Sequence, residues 1–363
     1  MPGVVDADTH IAESVKMWSL IDQDMYARRP VLVSAPEDTL YGARNAFWLI
    51  DGNIFPKPAG KGSFRLVTPS AAKLEASRGD IQIGCRELTD IPSRLQDMDR
   101  LGVEVQVVYP TLFLIYLTDD VKLEVALCRA YNRFLAEACS AAQNRIRWIM
   151  VPPLRSIEES VNELRWAKKH GAVGVFFRGM EGSLTLDNPY FFPVYKEASD
   201  LDLPICIHTG AGNPLLIGLA DVERNHSFLP SRILPLIAFR DLVANKIPEL
   251  FPALRFGFIE ASAGWVPFLL HILRRLFLSR WDQFSEGELF REYRLFIACE
   301  ADEDISYIIK YTGEDNLIIG SDYGHQDPSR ERELVATLRA REDVPGPIVD
   351  KILRDNPRKL YSL

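Results

Sequence analysis

Short unbroken runs of valine, isoleucine and phenylalanine recur along the chain, and between them apolar positions return at helical spacing. The runs centre near residues 4, 105, 149, 175, 206, 257, 296 and 318 and predict eight strands. They are continuous rather than alternating, as strands covered on both faces are. Helical patterns follow in IPSRLQDMDRLG, VKLEVALCRAYNRFLAEACSAAQN, IEESVNELRWAKKHG, YFFPVYKEASDLD, ILPLIAFRDLVANKI, WVPFLLHILRRLFLSRW, EDISYIIKYTG, SRERELVATLRARE and GPIVDKILRDN. Pro193 must fall in the first turn of its helix, and the 233–247 pattern is helical despite Pro235. Eight strands, each followed by a helix, predict an α/β protein of the (β/α)8 TIM-barrel type, a single domain over residues 1–363. A doubly wound open sheet is the alternative. It would usually carry a glycine-rich turn after the first strand, and none is present.

One stretch does not fit the rhythm. Residues 26–90 hold APED and DGNIFPKPAGKG and are too long for an ordinary connection. They also carry Phe47, Trp48, Phe55 and Phe64. This insertion after the first strand is read as a surface excursion with its own apolar cluster or as a cap over an active site.

In such a barrel, chemistry gathers at the carboxyl ends of the strands. The first ends in Asp8-Thr9-His10, the second in Tyr109-Pro110-Thr111, the fourth in Arg178-Gly179 and the fifth in His208-Thr209-Gly210. The sixth ends in Glu260-Ala261-Ser262, the seventh in Cys299-Glu300, and the eighth in Ser321-Asp322-Tyr323-Gly324-His325. Asp8 and His10 share a side by strand alternation, with Asp6 deeper on the same side. A lone Asp-x-His triplet is weak evidence, but His208 and Asp322 at later strand ends strengthen it. Two imidazoles and two carboxylates on one rim make a site for a divalent cation, with Zn2+, Fe2+ and Mn2+ equally suited.

Composition narrows the partners. The chain has 363 residues and a formal charge of −8, with no basic run, so nucleic acid is not expected as a partner. Five cysteines without a CxxC spacing fit a reducing compartment better than a disulfide framework, and a cytoplasmic protein is expected. No stretch reads as a secretory signal or a membrane span.

The segments VDADTH, PICIHTG, FIEASAGWVPFLL, GSDYGH and ILRDNPRKLY, supported by RWIMVPP and HGAVGVFFRG, resemble the amidohydrolase superfamily. The resemblance is to the amidohydrolase-2 branch, which includes aminocarboxymuconate semialdehyde decarboxylase and resorcylate-type decarboxylases. It implies that Asp8 and His10 take the first-strand ligand positions, His208 that of the fifth strand and Asp322 that of the eighth. It also implies a homodimer. Two departures stand out. Asp8 replaces the histidine or glutamate of relatives, and Glu260 stands where many carry a histidine. Glu260 is therefore read as a further ligand, a general base, an acceptor for a ligand histidine, or a passive buried carboxylate.

Two reactions on a small molecule follow. The leading one is hydrolysis, a metal-activated water attacking an ester, thioester or amide, with Asp322 or Glu260 moving its proton. The alternative is non-oxidative decarboxylation of an aromatic or enoic acid. A barrel without catalysis is disfavoured by the joint presence of Asp8, His10, His208 and Asp322. His325 is a candidate proton or hydrogen-bond donor, and Arg178 a candidate anchor for a substrate carboxylate. Tyr109 and Trp265 are candidate pocket residues, as are Thr111 and Phe113. His226 is a weaker candidate. His170, His271 and Cys206 are expected to be structural.

Overall fold

The computed structural model describes residues 3–39, 41–42, 45–57, 68–72, 80–210, 213–216, 232–276, 286–325 and 329–363. Among these, thirteen strands form in chain order. They are β1 (Val4–His10), β2 (Val31–Ser34), β3 (Ala46–Ile50), β4 (Asn53–Phe55), β5 (Val103–Tyr109), β6 (Ile146–Met150) and β7 (Ala172–Arg178). The others are β8 (Met180–Glu181), β9 (Leu184–Thr185), β10 (Ile205–His208), β11 (Phe256–Ile259), β12 (Leu295–Cys299) and β13 (Leu317–Ile319).

Eight of them pair in parallel in the order β1-β5-β6-β7-β10-β11-β12-β13, the eight predicted. Every residue of β1 and of β7 is buried, which is why these strands read as continuous apolar runs. The sheet curls into a nearly closed barrel. Past the end of β13 the Asp322 amide donates to the Asp8 carbonyl at 3.1 Å, and the His10 amide donates to the Tyr323 carbonyl at 2.7 Å. The seam thus runs through three of the expected ligand residues, Asp8, His10 and Asp322. It needs a glycine at 320, because a Cβ there would lie 2.3 Å from Asp8 Cβ.

The helices obey local rules. Asp90 caps Ile91–Leu101 by accepting from the Ser93 amide, and Gly102 ends it in the left-handed conformation. Asp120 caps Val121–Ser140 in the same way. Ile157–Lys169 begins with Glu158 and Glu159 and ends with Lys168 and Lys169, charges that suit its dipole. Pro193 falls in the first turn of Phe192–Asp200 as expected, and Pro235 is accommodated near the start of Ile233–Ala244. That helix stops earlier than predicted, because Lys246 adopts a positive φ and starts a separate turn, Ile247–Leu250. The helix read over 329–342 is regular only over Leu334–Arg339. The last one continues beyond its predicted end to Tyr361, through a wider turn at Lys351–Asp355. Tyr361 reaches inward, donating to the Ala7 carbonyl at 2.8 Å and lying 2.7 Å from the Tyr109 hydroxyl.

The insertion after β1 contains the antiparallel sheet β2-β3-β4. Trp48 lies edge-on to Trp18 of the main core at 6.3 Å. Arg28 bonds Asp51 of the insertion and Asp120 beyond the carboxyl end of β5, at 2.6 and 2.7 Å. The sheet is therefore tied to the end of the barrel where the strand-end residues gather. Phe64 lies outside the described residues. Among the described residues, no helix is long and apolar enough to cross a membrane.

The seam gives a direct test. Gly320→Ala forces a methyl group into the Asp8 backbone and is expected to cost about 1–3 kcal/mol. Urea unfolding should show a lower midpoint at unchanged slope, and an unchanged midpoint would refute the seam packing.

Candidate metal centre

β1 supplies two side chains to one point, although not by simple alternation. Its pairing with β5 steps from Asp6–Gln106 to Thr9–Val108, so one extra residue bulges between them. Asp6 turns aside and accepts from the Ser321 amide at 2.8 Å and the Ser321 hydroxyl at 2.6 Å. Burial pushes its carboxyl up to about 7 despite these bonds. Asp8 and His10 converge beyond it, His10 Nε2 standing 3.4 Å from Asp8 Oδ1.

The other members arrive from later strand ends. His208, the last residue of β10, places Nε2 at 3.5 Å from both Asp8 Oδ1 and Glu260 Oε2. Glu260 Oε2 is 3.8 Å from His10 Nε2, and Asp322 Oδ1 is 3.4 Å from it. Glu260 follows β11 directly and Asp322 lies three residues past the end of β13, and both hold left-handed backbones, with φ of 49° and 52°. Such a conformation is uncommon for a residue with a Cβ and persists only where its surroundings impose it. Here it turns each carboxylate back over the strand ends.

The hydrogen bonds around the imidazoles fix which nitrogen faces the centre. His10 Nδ1 lies 3.0 Å from the Pro110 carbonyl and His208 Nδ1 3.0 Å from the Thr209 carbonyl. A carbonyl only accepts, so both Nδ1 atoms carry the proton and both Nε2 atoms turn a lone pair to the centre. This is the arrangement that orients histidine ligands in metal sites. Burial, with His325 and His208 nearby, holds His10 well below the ordinary histidine range. Burial also pulls His208 down, but the carboxylates of Asp8 and Glu260 outweigh it and raise its pKa.

The residues fit a divalent cation. Asp8 Oδ1, His10 Nε2 and His208 Nε2 are fully buried and make no hydrogen bond. Ligands at about 2.1 Å around a tetrahedral ion lie about 3.4 Å from one another. The separations among Asp8, His10, His208 and Glu260 are 3.4, 3.5, 3.5 and 3.8 Å. Two overlapping sets meet the requirement: Asp8, His10, His208 and Glu260, and His10, Glu260, Asp322 and His325. His10 and Glu260 belong to both sets.

His325 stacks on His10 with ring centroids 3.8 Å apart. Its Nδ1 is 2.7 Å from Asp322 Oδ1, and its Nε2 is 2.8 Å from Thr111 Oγ1. Glu13 lies behind and accepts from the Thr111 and Leu112 amides at 3.0 and 2.9 Å. A small pocket opens beside the cluster, lined by Asp8, Glu260, Ser262, Ala298, Cys299, Glu300, Gly320, Asp322 and Ser329.

The residues expected to hold substrate are placed elsewhere. The Arg178 guanidinium binds the Glu181 carboxylate, at 2.5 Å from Nη2, and donates to the carbonyls of Phe113 and Ile115. It also lies over the Tyr116 ring at 3.9 Å. Tyr109 is buried beneath the ligands, its ring 5.1 Å from that of His208. Trp265 donates to the Ala261 carbonyl and packs against Phe239 and Phe258. Phe113 packs against Trp18 and Tyr131. His170 stacks on Trp166, His271 is exposed on its helix, and burial pushes the Cys206 thiol up to about 12. His226 lies outside the described residues. The sequence reading missed Glu13, Ser329 and Arg232. Only Glu13, an acid three residues beyond His10 in the first strand-end segment, offered a signal.

The chain is similar to 2-amino-3-carboxymuconate-6-semialdehyde decarboxylase of Dictyostelium discoideum, 21% identical over 243 residues, 63% of this chain and 65% of that protein. It spans 39% to 65% of the length of the curated relatives it matches. Among solved structures, an amidohydrolase of Mycobacterium avium subsp. paratuberculosis K-10 superposes with a TM-score of 0.78 at 18% identity, covering 99% of each chain. A 5-carboxyvanillate decarboxylase of Novosphingobium aromaticivorans, solved with manganese, gives 0.67 at 17% identity, covering 99% of this chain and 96% of that one. The family model described as Amidohydrolase matches residues 5–363. With a match that runs from β1 to the last residue, the chain belongs to the amidohydrolase-2 family, as VDADTH, GSDYGH and the other strand-end segments predict.

Proposed function

We propose that the protein is a metal-dependent, non-oxidative decarboxylase of a small aromatic or enoic acid. The observation that carries this reading is a cation seat of imidazoles and carboxylates at the carboxyl ends of the strands, beside a pocket lined by Asp8, Glu260 and Asp322. Two of the three named relatives support it, a 2-amino-3-carboxymuconate-6-semialdehyde decarboxylase and a 5-carboxyvanillate decarboxylase. They reverse the order given by the sequence, which placed hydrolysis first. Hydrolysis of an ester, thioester or amide remains the second reading, favoured by Glu260, whose additional carboxylate beside the ligands suits a base for water.

A divalent cation bound here would hold the substrate carboxylate and withdraw electron density from it. His10 and His208 offer it neutral Nε2 atoms, fixed by the carbonyls of Pro110 and Thr209. When the carbon–carbon bond breaks, its electron pair stays on the ring or enoic carbon, which must gain a proton. Asp322 lines the pocket and stands 2.7 Å from His325 Nδ1, so this pair is assigned to hold and deliver that proton. Thr111 fixes the far side of the His325 ring. The insertion is assigned as a cap over the pocket, and a homodimer is the proposed assembly.

Three outcomes test this reading. Protein loaded with Mn2+ or Zn2+ should release carbon dioxide from hydroxybenzoates and, in D2O, place one deuterium on the vacated carbon. Cleavage of aryl esters, thioesters or amides without carbon dioxide release from any acid would establish the hydrolytic reading instead. His208→Ala should leave below about 0.2 equivalents of metal by elemental analysis after reconstitution, because an orienting histidine ligand is gone. Asp322→Asn should keep the cation through the other four residues yet lower kcat by roughly 10²–10⁴-fold, and full turnover would remove Asp322 from the chemistry.

A further inference from the structure

We propose that Arg232 is a positioning residue for the cation site, acting through the backbone of Glu260. The corner after β11 is unusual in bending twice through the left-handed region within three residues, at Glu260 with φ 49° and at Ser262 with φ 57°. Neither is a glycine, so the corner must be held from outside. Arg232 stands at the start of the Ile233–Ala244 helix and supplies that hold. Its Nη1 donates to the Glu260 carbonyl at 2.7 Å and lies 3.4 Å from Ser262 Oγ. The same nitrogen is 3.2 Å from Glu300 Oε1, and Nη2 donates to Ser329 Oγ at 2.7 Å. Ser262 Oγ in turn donates to Glu300 Oε1 at 2.6 Å.

One guanidinium therefore joins the ends of β11 and β12 to the segment beyond β13. Each of its four partners lines the pocket. The opposite side of the corner is held by Glu303, which accepts from the amides of Ala263, Gly264 and Glu300 at 2.9, 2.7 and 2.8 Å. Glu303 fixes where the following helix starts. Arg232 fixes the direction of the Glu260 carbonyl, and so of the residue whose carboxylate stands 3.5 Å from His208 Nε2. Its charge also balances Glu300, which would otherwise be a fourth carboxylate in the pocket beside Asp8, Glu260 and Asp322. A lysine can replace the charge but not the fork that reaches a carbonyl, a carboxylate and a hydroxyl at once.

The proposal rests on Glu260 facing the cation and is independent of which reaction the centre performs. Its test is a double-mutant cycle read by Zn2+ affinity, from chelator competition, and by the visible spectrum of the Co2+-substituted protein. Arg232→Met is expected to weaken Zn2+ binding about 10–100-fold, as loss of a group that orients a ligand does. It should also shift the Co2+ bands. In a Glu260→Gln background the same substitution should change neither reading further. Should Arg232→Met fail to fold, Arg232→Lys serves in its place, with a smaller loss that likewise vanishes beside Glu260→Gln. Losses that simply add, or an unchanged affinity and spectrum in a folded Arg232 variant, overturn the proposal. Neither measurement uses a substrate, so a failure of the decarboxylase reading leaves the result interpretable.

Discussion

Carboxylates buried within reach of one another demand positive charge among them, and the carboxyl end of this barrel is organised around that demand. Two like charges about 4 Å apart repel by about 4 kcal/mol at an effective dielectric of 20. Asp8, Glu260 and Asp322 are drawn together beside His10, His208 and His325. Protonation of His10 does not meet the need at the centre of the group, because burial and the neighbouring imidazoles push it well below its ordinary range. A divalent cation would meet it and would satisfy the buried Asp8 Oδ1, His10 Nε2 and His208 Nε2 at the same time.

The fold gathers these groups by placing the barrel seam where the ligands are. Asp8 and His10 use their backbones to pair with Asp322 and Tyr323, so the bonds that close the ring also set the separation of the ligand side chains. Gly320 allows the approach, and the bulge in β1 turns Asp6 out of the cluster into a structural bond with Ser321. The Pro110 and Thr209 carbonyls then orient the imidazoles. Closure of the barrel and preorganisation of this side of the site are one set of contacts, which explains why strained backbone occurs at Asp322, where a Cβ-bearing residue normally avoids it.

How much of this the sequence revealed depends on what each feature rests on. The eight strands were legible because burial on both faces writes itself as continuous apolar runs. Asp8, His10, His208 and Asp322 were legible because residue type and strand-end position suffice to nominate them. The bulge was not, since one extra residue in β1 breaks the period-2 argument that placed Asp6, Asp8 and His10 on one side. Arg178 shows the same limit. Its position was read correctly, but Glu181 three residues later claims the guanidinium, and only the return of the chain through β8 and β9 brings that about. The aim of Glu260 depends on backbone handedness, and a lone arginine ahead of a helix carries no mark of the four pocket residues it joins.

The fate of Arg178 bears on the chemistry. With that guanidinium spent on Glu181, the ionisable carboxyl groups lining the pocket are Asp8, Glu260, Glu300 and Asp322, and Arg232 offsets one of them. An acid entering such a pocket is repelled unless a cation balances the remaining charge. Metal and acid must then favour each other's binding, and by linkage each raises the other's affinity by the same factor. A neutral ester or amide meets no such repulsion and gains only through direct coordination. Charge that looks unfavourable would thus make the binding of an acid, the substrate class proposed above, conditional on a loaded centre.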